Sequence, residues 1–228
     1  MKIQLRGLSK AYRQNNILNN INLLIETNTT FCLLGKNGAG KSTLLNLISN
    51  IIEPSEGEVC INDMSYSDCE IAIKKLIGVQ SEFDQIIGEL DAIDYLQWIG
   101  MLYGMNKTDL LKRIENLLKY FFDNDDALLK LTKNYSSGMR KKLSICAAVL
   151  HKPDLLILDE PCQGLDEQQV TDFVALVDEL CSQSNKTLIY VSHYENEIPR
   201  CVDKVMLLEN NAHKQYSINI TKSTAIAV

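Results

Sequence analysis

Two periods run through the apolar positions of this chain. Lys2 to Gly7 and Ile17 to Glu26 (I-L-N-N-I-N-L-L-I-E) alternate apolar with polar residues, which predicts two half-buried strands. Phe31 to Leu34 is a continuous apolar run, the pattern of a strand buried on both faces. Past a turn framed by Pro54 and Gly57, E-V-C-I-N reads as another strand and Lys74 to Val79 as a further short one. From Asp91 to about Phe122 the spacing becomes helical, in two segments broken near Gly104 to Thr108, with Asn106 or Thr108 capping the second. A further helix opens at Ser136-Ser137-Gly138, puts Leu143, Cys146, Ala147 and Leu150 on its apolar face, and ends before Pro153. Within Asp154 to Glu160, Leu155 to Leu158 is again a continuous apolar run, closed by two acids. Asp166 to about Ser182 is helical, and Thr187 to Val191 is a buried strand with His193 just past its end. From Asn210 onward periodicity fades, so 210–228 is expected to be a peripheral or mobile tail. No repeat or low-complexity linker divides the chain, which points to one α/β folding unit over 1–228 with a helical part at roughly 84–150.

Composition narrows the possibilities. With 228 residues, 46% hydrophobic and 23% charged, the chain can bury a sizeable core, and its 11 Gly and 4 Pro are too few for a disordered or collagen-like chain. A net charge of −6 argues against a dedicated nucleic-acid binder, so no nucleic-acid partner is expected. The N-terminus lacks the apolar core of a signal peptide and no run reaches the ~18 residues of a membrane span, which leads to an expectation of a cytoplasmic location. Seven cysteines without C-x-x-C spacing fit reduced, packing thiols.

The chemistry concentrates where apolar runs end. Phe31 to Leu34 leads into Gly35-Lys36-Asn37-Gly38-Ala39-Gly40-Lys41-Ser42-Thr43, a G-x-x-x-x-G-K-[ST] phosphate loop with a strand before it and a helix after. The glycines let backbone N–H groups turn inward around a β-phosphate, and the helix start adds positive dipole. Lys41 would reach the β- and γ-phosphates and Ser42 would bind Mg²⁺. Asp159 and Glu160 divide into a metal-holding acid and an acid that polarises an attacking water. His193 is placed to contact the γ-phosphate or hold that water. The loop Gln80-Ser81-Glu82 lies where it could reach the metal. Ser136-Ser137-Gly138 is a helix start without a nearby carboxylate, hence either an anion site for another subunit's nucleotide or a plain cap. Tyr12, in the polar stretch L-S-K-A-Y-R, is a surface ring or a platform for a purine; local sequence leaves both open. Tyr95, Trp98, Met101 and Leu102 form a helical stripe that is either core or a partner's docking face.

Taken in order, Tyr12, G-K-N-G-A-G-K-S-T, I-G-V-Q-S-E, Y-S-S-G-M, L-L-I-L-D-E-P, Gly164-Leu165-Asp166 and Ser192-His193 resemble the motif series of the ATP-binding cassette (ABC) ATPases, over about 200 residues. The resemblance implies a phosphate-loop ATPase core with an antiparallel β subdomain and a helical subdomain. It implies adenine stacking by Tyr12, phosphate binding by Gly35 to Thr43, metal contact by Ser42, Asp159 and Glu82, and catalysis by Lys41, Glu160 and His193. Ser136, Ser137 and Gly138 would face the γ-phosphate held by a second copy, and Asp166 would lie in the dimer-interface loop. The implied protein is the ATPase subunit of an ABC transporter, a dimer around two ATP with Mg²⁺, working beneath separate membrane subunits at the inner face of the cell membrane. Three positions depart from the family pattern: Y-S-S-G-M replaces L-S-G-G-Q, Cys162 follows Pro161 where Thr or Ser is common, and Glu82 occupies the position of the coupling glutamine, with Gln80 two residues earlier. A similar glutamate marks some bacterial peptide-antibiotic immunity and export cassettes. A soluble ABC protein of DNA repair or translation would carry a long coiled coil or a second cassette. A small-metabolite kinase would leave Y-S-S-G-M unexplained.

Overall fold

The computed structural model describes residues 1–13, 15–81, 86–122, 128–182, 186–210 and 216–222. Strands β1 (Ile3–Tyr12), β2 (Asn15–Ile25), β4 (Glu56–Ile61) and the short β5 (Met64–Ser65) form an antiparallel sheet in the order β2-β1-β4-β5. A second sheet runs β10-β9-β3-β8-β7-β6, from β3 (Thr30–Leu34), β6 (Ile77–Gln80), β7 (Leu155–Asp159), β8 (Thr187–Ser192), β9 (Lys204–Asn210) and β10 (Tyr216–Lys222). Its five central and inner strands pair in parallel and β10 adds antiparallel to β9.

The unbroken apolar strands are explained by cores on both faces of this sheet. Phe31, Leu33, Leu155, Ile157 and Ile189 point into a core shared with the antiparallel sheet and helix α1 (Lys41–Ile48). Their alternates Cys32, Leu34, Leu156, Leu158, Leu188 and Tyr190 point into the opposite core. That second core is closed by α3 (Ala92–Leu102), α4 (Lys107–Phe121), α5 (Ser137–Val149) and α6 (Glu167–Ser182). Period-two alternation persists, but both destinations are apolar. The helix starts carry side-chain caps: Asp91 accepts from Asp94 N at 2.8 Å, Asn106 from Thr108 N at 2.9 Å, and Ser136 from Met139 N at 3.2 Å.

Three sequence expectations change. Helix α2 (Tyr66–Lys75) was not foreseen, and it takes Lys74 and Lys75 out of the strand expected at Lys74 to Val79, which begins only at Ile77. Tyr12 closes β1 instead of sitting in a polar connection. The segment read as a tail from Asn210 contains β10, an edge strand in register with β9 from Tyr216↔Asn210 to Lys222↔Lys204.

Candidate active site

Strands β3, β8, β7 and β6 are consecutive in the sheet and all parallel, so their carboxyl ends share one edge. That edge is where open α/β sheets bind ligands. It carries the phosphate loop after β3, His193 after β8, Asp159 and Glu160 at the end of β7, and Gln80 at the end of β6.

The loop is clasped from both sides. Gly40 has φ +99°, a left-handed backbone suited to glycine, and a Cβ there would come within 3.1 Å of Leu18 Cδ2 on β2. A Cβ on Gly35 would meet the Leu208 carbonyl of β9 at 2.5 Å. Between them Ala39 N donates to Lys36 O at 3.1 Å, closing a turn over Asn37 and Gly38. Helix α1 starts directly after Gly40, so the N–H groups of Lys41, Ser42 and Thr43 belong to its first turn and face the loop without intrahelical acceptors.

Lys41 is the hub. It is only 4% exposed, and its Nζ donates to Gly35 O at 2.8 Å, contacts His193 Nδ1 at 2.9 Å and lies 3.5 Å from Glu160 Oε1. The other nitrogen of His193, Nε2, is 2.5 Å from Glu160 Oε1. One tautomer satisfies both contacts: Nδ1 accepts from the lysine ammonium and Nε2–H donates to the carboxylate. Glu160 holds its place through a left-handed backbone, φ 48°, and its N–H donates to Val191 O at 3.1 Å. His193 follows a turn in which Ser192 Oγ accepts from Tyr194 N at 3.1 Å and bonds the Glu197 carboxylate.

The oxygen donors at this edge suit a hard cation. Asp159 is buried at the end of β7 and Ser42 sits in the first turn of α1. Glu160 Oε2 and Gln80 Oε1 are buried and have no hydrogen-bond partner among the described residues. Gln80 pairs with Leu158, one residue from Asp159, and its amide nitrogen donates to Ser81 O at 2.6 Å. Among the described residues no cluster of three or more His, Cys, Asp or Glu could hold a metal alone. Few carboxylates completed by phosphate oxygens is the manner in which Mg²⁺ is commonly held. Glu82 lies outside the described residues.

A second cluster forms at the start of α5. Ser136 and Ser137 are exposed, and a Cβ on Gly138 would stand 3.6 Å from Gln169 Cδ. Gln169 N in turn donates to Asp166 Oδ1 at 2.9 Å, and Asp166 N donates to Gln169 Oε1 at 3.4 Å. The structure therefore joins the Y-S-S-G-M turn to the Gly164-Leu165-Asp166 loop through Gln169, a residue that sequence reading did not single out. The signal was present, since D-E-Q-Q places a glutamine three residues after a capping aspartate. Tyr12 is 47% exposed, with Lys10 Nζ 5.1 Å from its ring centroid. It pairs with Asn15 at the end of the hairpin whose Ile17 packs beside Gly40. Cys162 is buried with its sulfur 3.3 Å from Tyr190 Oη, and burial pushes its thiol up to about 11, so it packs as a neutral group.

Comparison with known proteins identifies the family and the fold. Residues 18–163 match the family model for the ABC transporter. The chain is 30% identical over 207 residues to the linearmycin resistance ATP-binding protein LnrL of Bacillus subtilis, a match covering 91% of this chain and 66% of LnrL. It is 32% identical to the ABC transporter ATP-binding protein NatA of the same organism, covering 83% of this chain and 77% of NatA. Among solved structures, a dimeric post-hydrolysis ATP-binding cassette bound to ADP and Pi superposes with a TM-score of 0.84 at 23% identity, covering 96% of this chain and 98% of that one. The motif order, the two-sheet fold and the strand-end cluster converge, and the chain belongs to the ABC transporter family as its ATP-binding, ATP-hydrolysing cassette.

Proposed function

We propose that two copies of this chain close around two ATP molecules and that the cycle of closure and hydrolysis drives separate membrane subunits. The observation that carries this reading is the contact of Lys41, Glu160 and His193 at the ends of three neighbouring parallel strands. Gly35 to Thr43 cradle the phosphates, Lys41 neutralises charge on the β- and γ-oxygens, and Tyr12 stacks on adenine. Glu160 takes the proton of the attacking water, and His193, hydrogen-bonded to that carboxylate, holds the water in line. Mg²⁺ would be held by Ser42, Asp159 and Glu82; when bound, it offsets negative charge on the triphosphate.

The exposed Ser136 and Ser137 and the half-buried Gly138 present the free N–H groups of a helix start, and they serve the γ-phosphate held by the other copy. Asp166 lies on the same face, linked through Gln169, so both motifs meet the partner together. Along α3, Tyr95 is core while Trp98, Met101 and Leu102 are 41%, 64% and 66% exposed. They form the surface for cytoplasmic helices of the membrane subunit, and Glu82, which lies outside the described residues, is assigned to the same coupling. Among the described residues no helix is long and apolar enough to cross a membrane; the relative named as an ABC transporter ATP-binding protein supports action from the cytoplasmic face on a separate membrane subunit.

The test is Glu160→Gln. The amide cannot accept the water's proton, so ATP should bind without turnover and hold the closed dimer. Size measurement with and without ATP should show a nucleotide-dependent dimer. A permanent monomer, or turnover at the wild-type rate, overturns the assignment.

A further inference from the structure

The amino ends of β7 and β8 face away from the nucleotide edge, and there a cavity of about 330 Å³ opens between α4, α5 and α6. Leu117, Leu156, Leu180 and Leu188 make its walls apolar. Among the described residues its charged lining is two cations, Arg113 and Lys186, with no carboxylate, although the chain carries a net charge of −6. Both cations are partly buried.

A structural role accounts for only part of this. One terminal nitrogen of Arg113 donates to Val149 O at 3.1 Å, capping the carboxyl end of α5. Arg113 Nε, however, is buried with no hydrogen-bond partner among the described residues, and Lys186 takes no part in the cap. Burial holds the Lys186 amine below its ordinary range, and the Arg113 charge lowers it further. Asp154, outside the cavity lining, raises it by less than Arg113 lowers it. Two neighbouring, partly desolvated cations with no acid beside them in the cavity lining, among the described residues, cost stability. An anion that entered would recover that cost and give Arg113 Nε an acceptor.

The apolar walls and the size select among anions. A free phosphate would meet the cations but leave the leucines uncovered, whereas about 330 Å³ lies at the lower end of the range of small-molecule sites. We propose that this cavity binds a small amphiphilic anion, a carboxylate or phosphate ester on an apolar body of about ten carbons, with its head between Arg113 and Lys186. The site lies at the far ends of the strands from Lys41 and Glu160, and the proposal does not depend on the nucleotide chemistry.

Decanoate, decanol and inorganic phosphate test it by calorimetric titration of the full chain. Decanoate should bind saturably at one site per chain, and Lys186→Gln should weaken it at least about tenfold. Lys186→Arg should restore binding. Lys186 makes no helix cap, so this pair of variants decides the matter even where Arg113→Gln unfolds α5. Absence of saturable binding, equal affinity for decanol, or equal affinity for phosphate overturns the proposal. Decanoate binding indifferent to Lys186→Gln does so too.

Discussion

Glu160 Oε1 stands 2.5 Å from His193 Nε2 and 3.5 Å from Lys41 Nζ, with Lys41 and Glu160 both almost wholly buried. Removing one group therefore takes a partner from the other two. Lys41→Met should leave a carboxylate buried without its cation and lower unfolding stability by about 3 kcal/mol in urea titration without nucleotide. The double variant Lys41→Met/Glu160→Gln should recover most of that loss. Simple addition of the two single effects would show that the pair is not coupled.

Gly138→Asp would set a carboxylate at the exposed start of α5, against the γ-phosphate proposed to dock there from the other copy. ATP affinity should stay near wild type while turnover disappears. Lys41→Ala should fail in the opposite way, by losing nucleotide. Mixed in equal amounts, the two variants should regain about a quarter of wild-type turnover, because half the dimers are mixed and each has one intact site. A mixture as inactive as its parts would place both motifs in one chain's site.

Gln80, at the end of β6, and Glu82 are rival oxygen donors for the metal. Gln80 Oε1 is buried with no hydrogen-bond partner among the described residues, so Gln80→Leu should stabilise the protein by about 1 kcal/mol in urea titration. Glu82→Ala should slow Mg²⁺-dependent turnover more than Gln80→Leu does. The reverse ranking would move the metal contact to Gln80.

A separate pH effect comes from His151, stacked on Tyr103 at 3.7 Å with Nε2 3.1 Å from Ile77 O. Donation from Nε2 leaves Nδ1 bare, and Nδ1 is buried with no partner among the described residues, so a second proton has no acceptor. Burial holds the pKa at about 4, against an ordinary 6.5. Between those values the unfolded chain takes up a proton that the folded chain refuses. Stability should therefore fall as pH drops through that window, by up to about 3 kcal/mol, and level off below it. His151→Gln should flatten this part of the profile in urea titrations; an unchanged slope would assign it to other groups.

What was legible in the sequence follows from how local each requirement is. The phosphate loop needs its glycines and lysine within nine residues, and two-sided burial leaves β3, β7 and β8 as unbroken apolar runs, so all were readable. Helix α2 was not, because Ile73 is its only fully buried residue and the helical period barely shows; Lys74, taken for a strand residue, pairs instead with Glu70 at 2.6 Å. Lys204 to Asn210 is apolar at its centre, yet its strand identity depends on pairing with Phe31 to Leu34, far away in sequence. Tyr12 was read from its polar neighbours, although its strand is set by Asn15 across the hairpin. The link from Gly138 to Asp166 depends on two helix starts meeting in space, which no spacing along the chain expresses.

Strand β3 lies between β8 and β9, so the segment at residues 30–34 has its sheet neighbours at 187–192 and 204–210. A ribosome finishes the N-terminal hairpin and β4 early, and these can pair with one another as they emerge. The phosphate loop must wait, since both the strand that carries it and the Leu208 carbonyl that packs on Gly35 depend on residues made much later. During synthesis Phe31 to Leu34 is thus an apolar strand with two open edges, the kind of segment that chaperones cover and that aggregates when they do not. A nascent chain stalled before β9 should bind no nucleotide, although every residue of its phosphate loop has already been made.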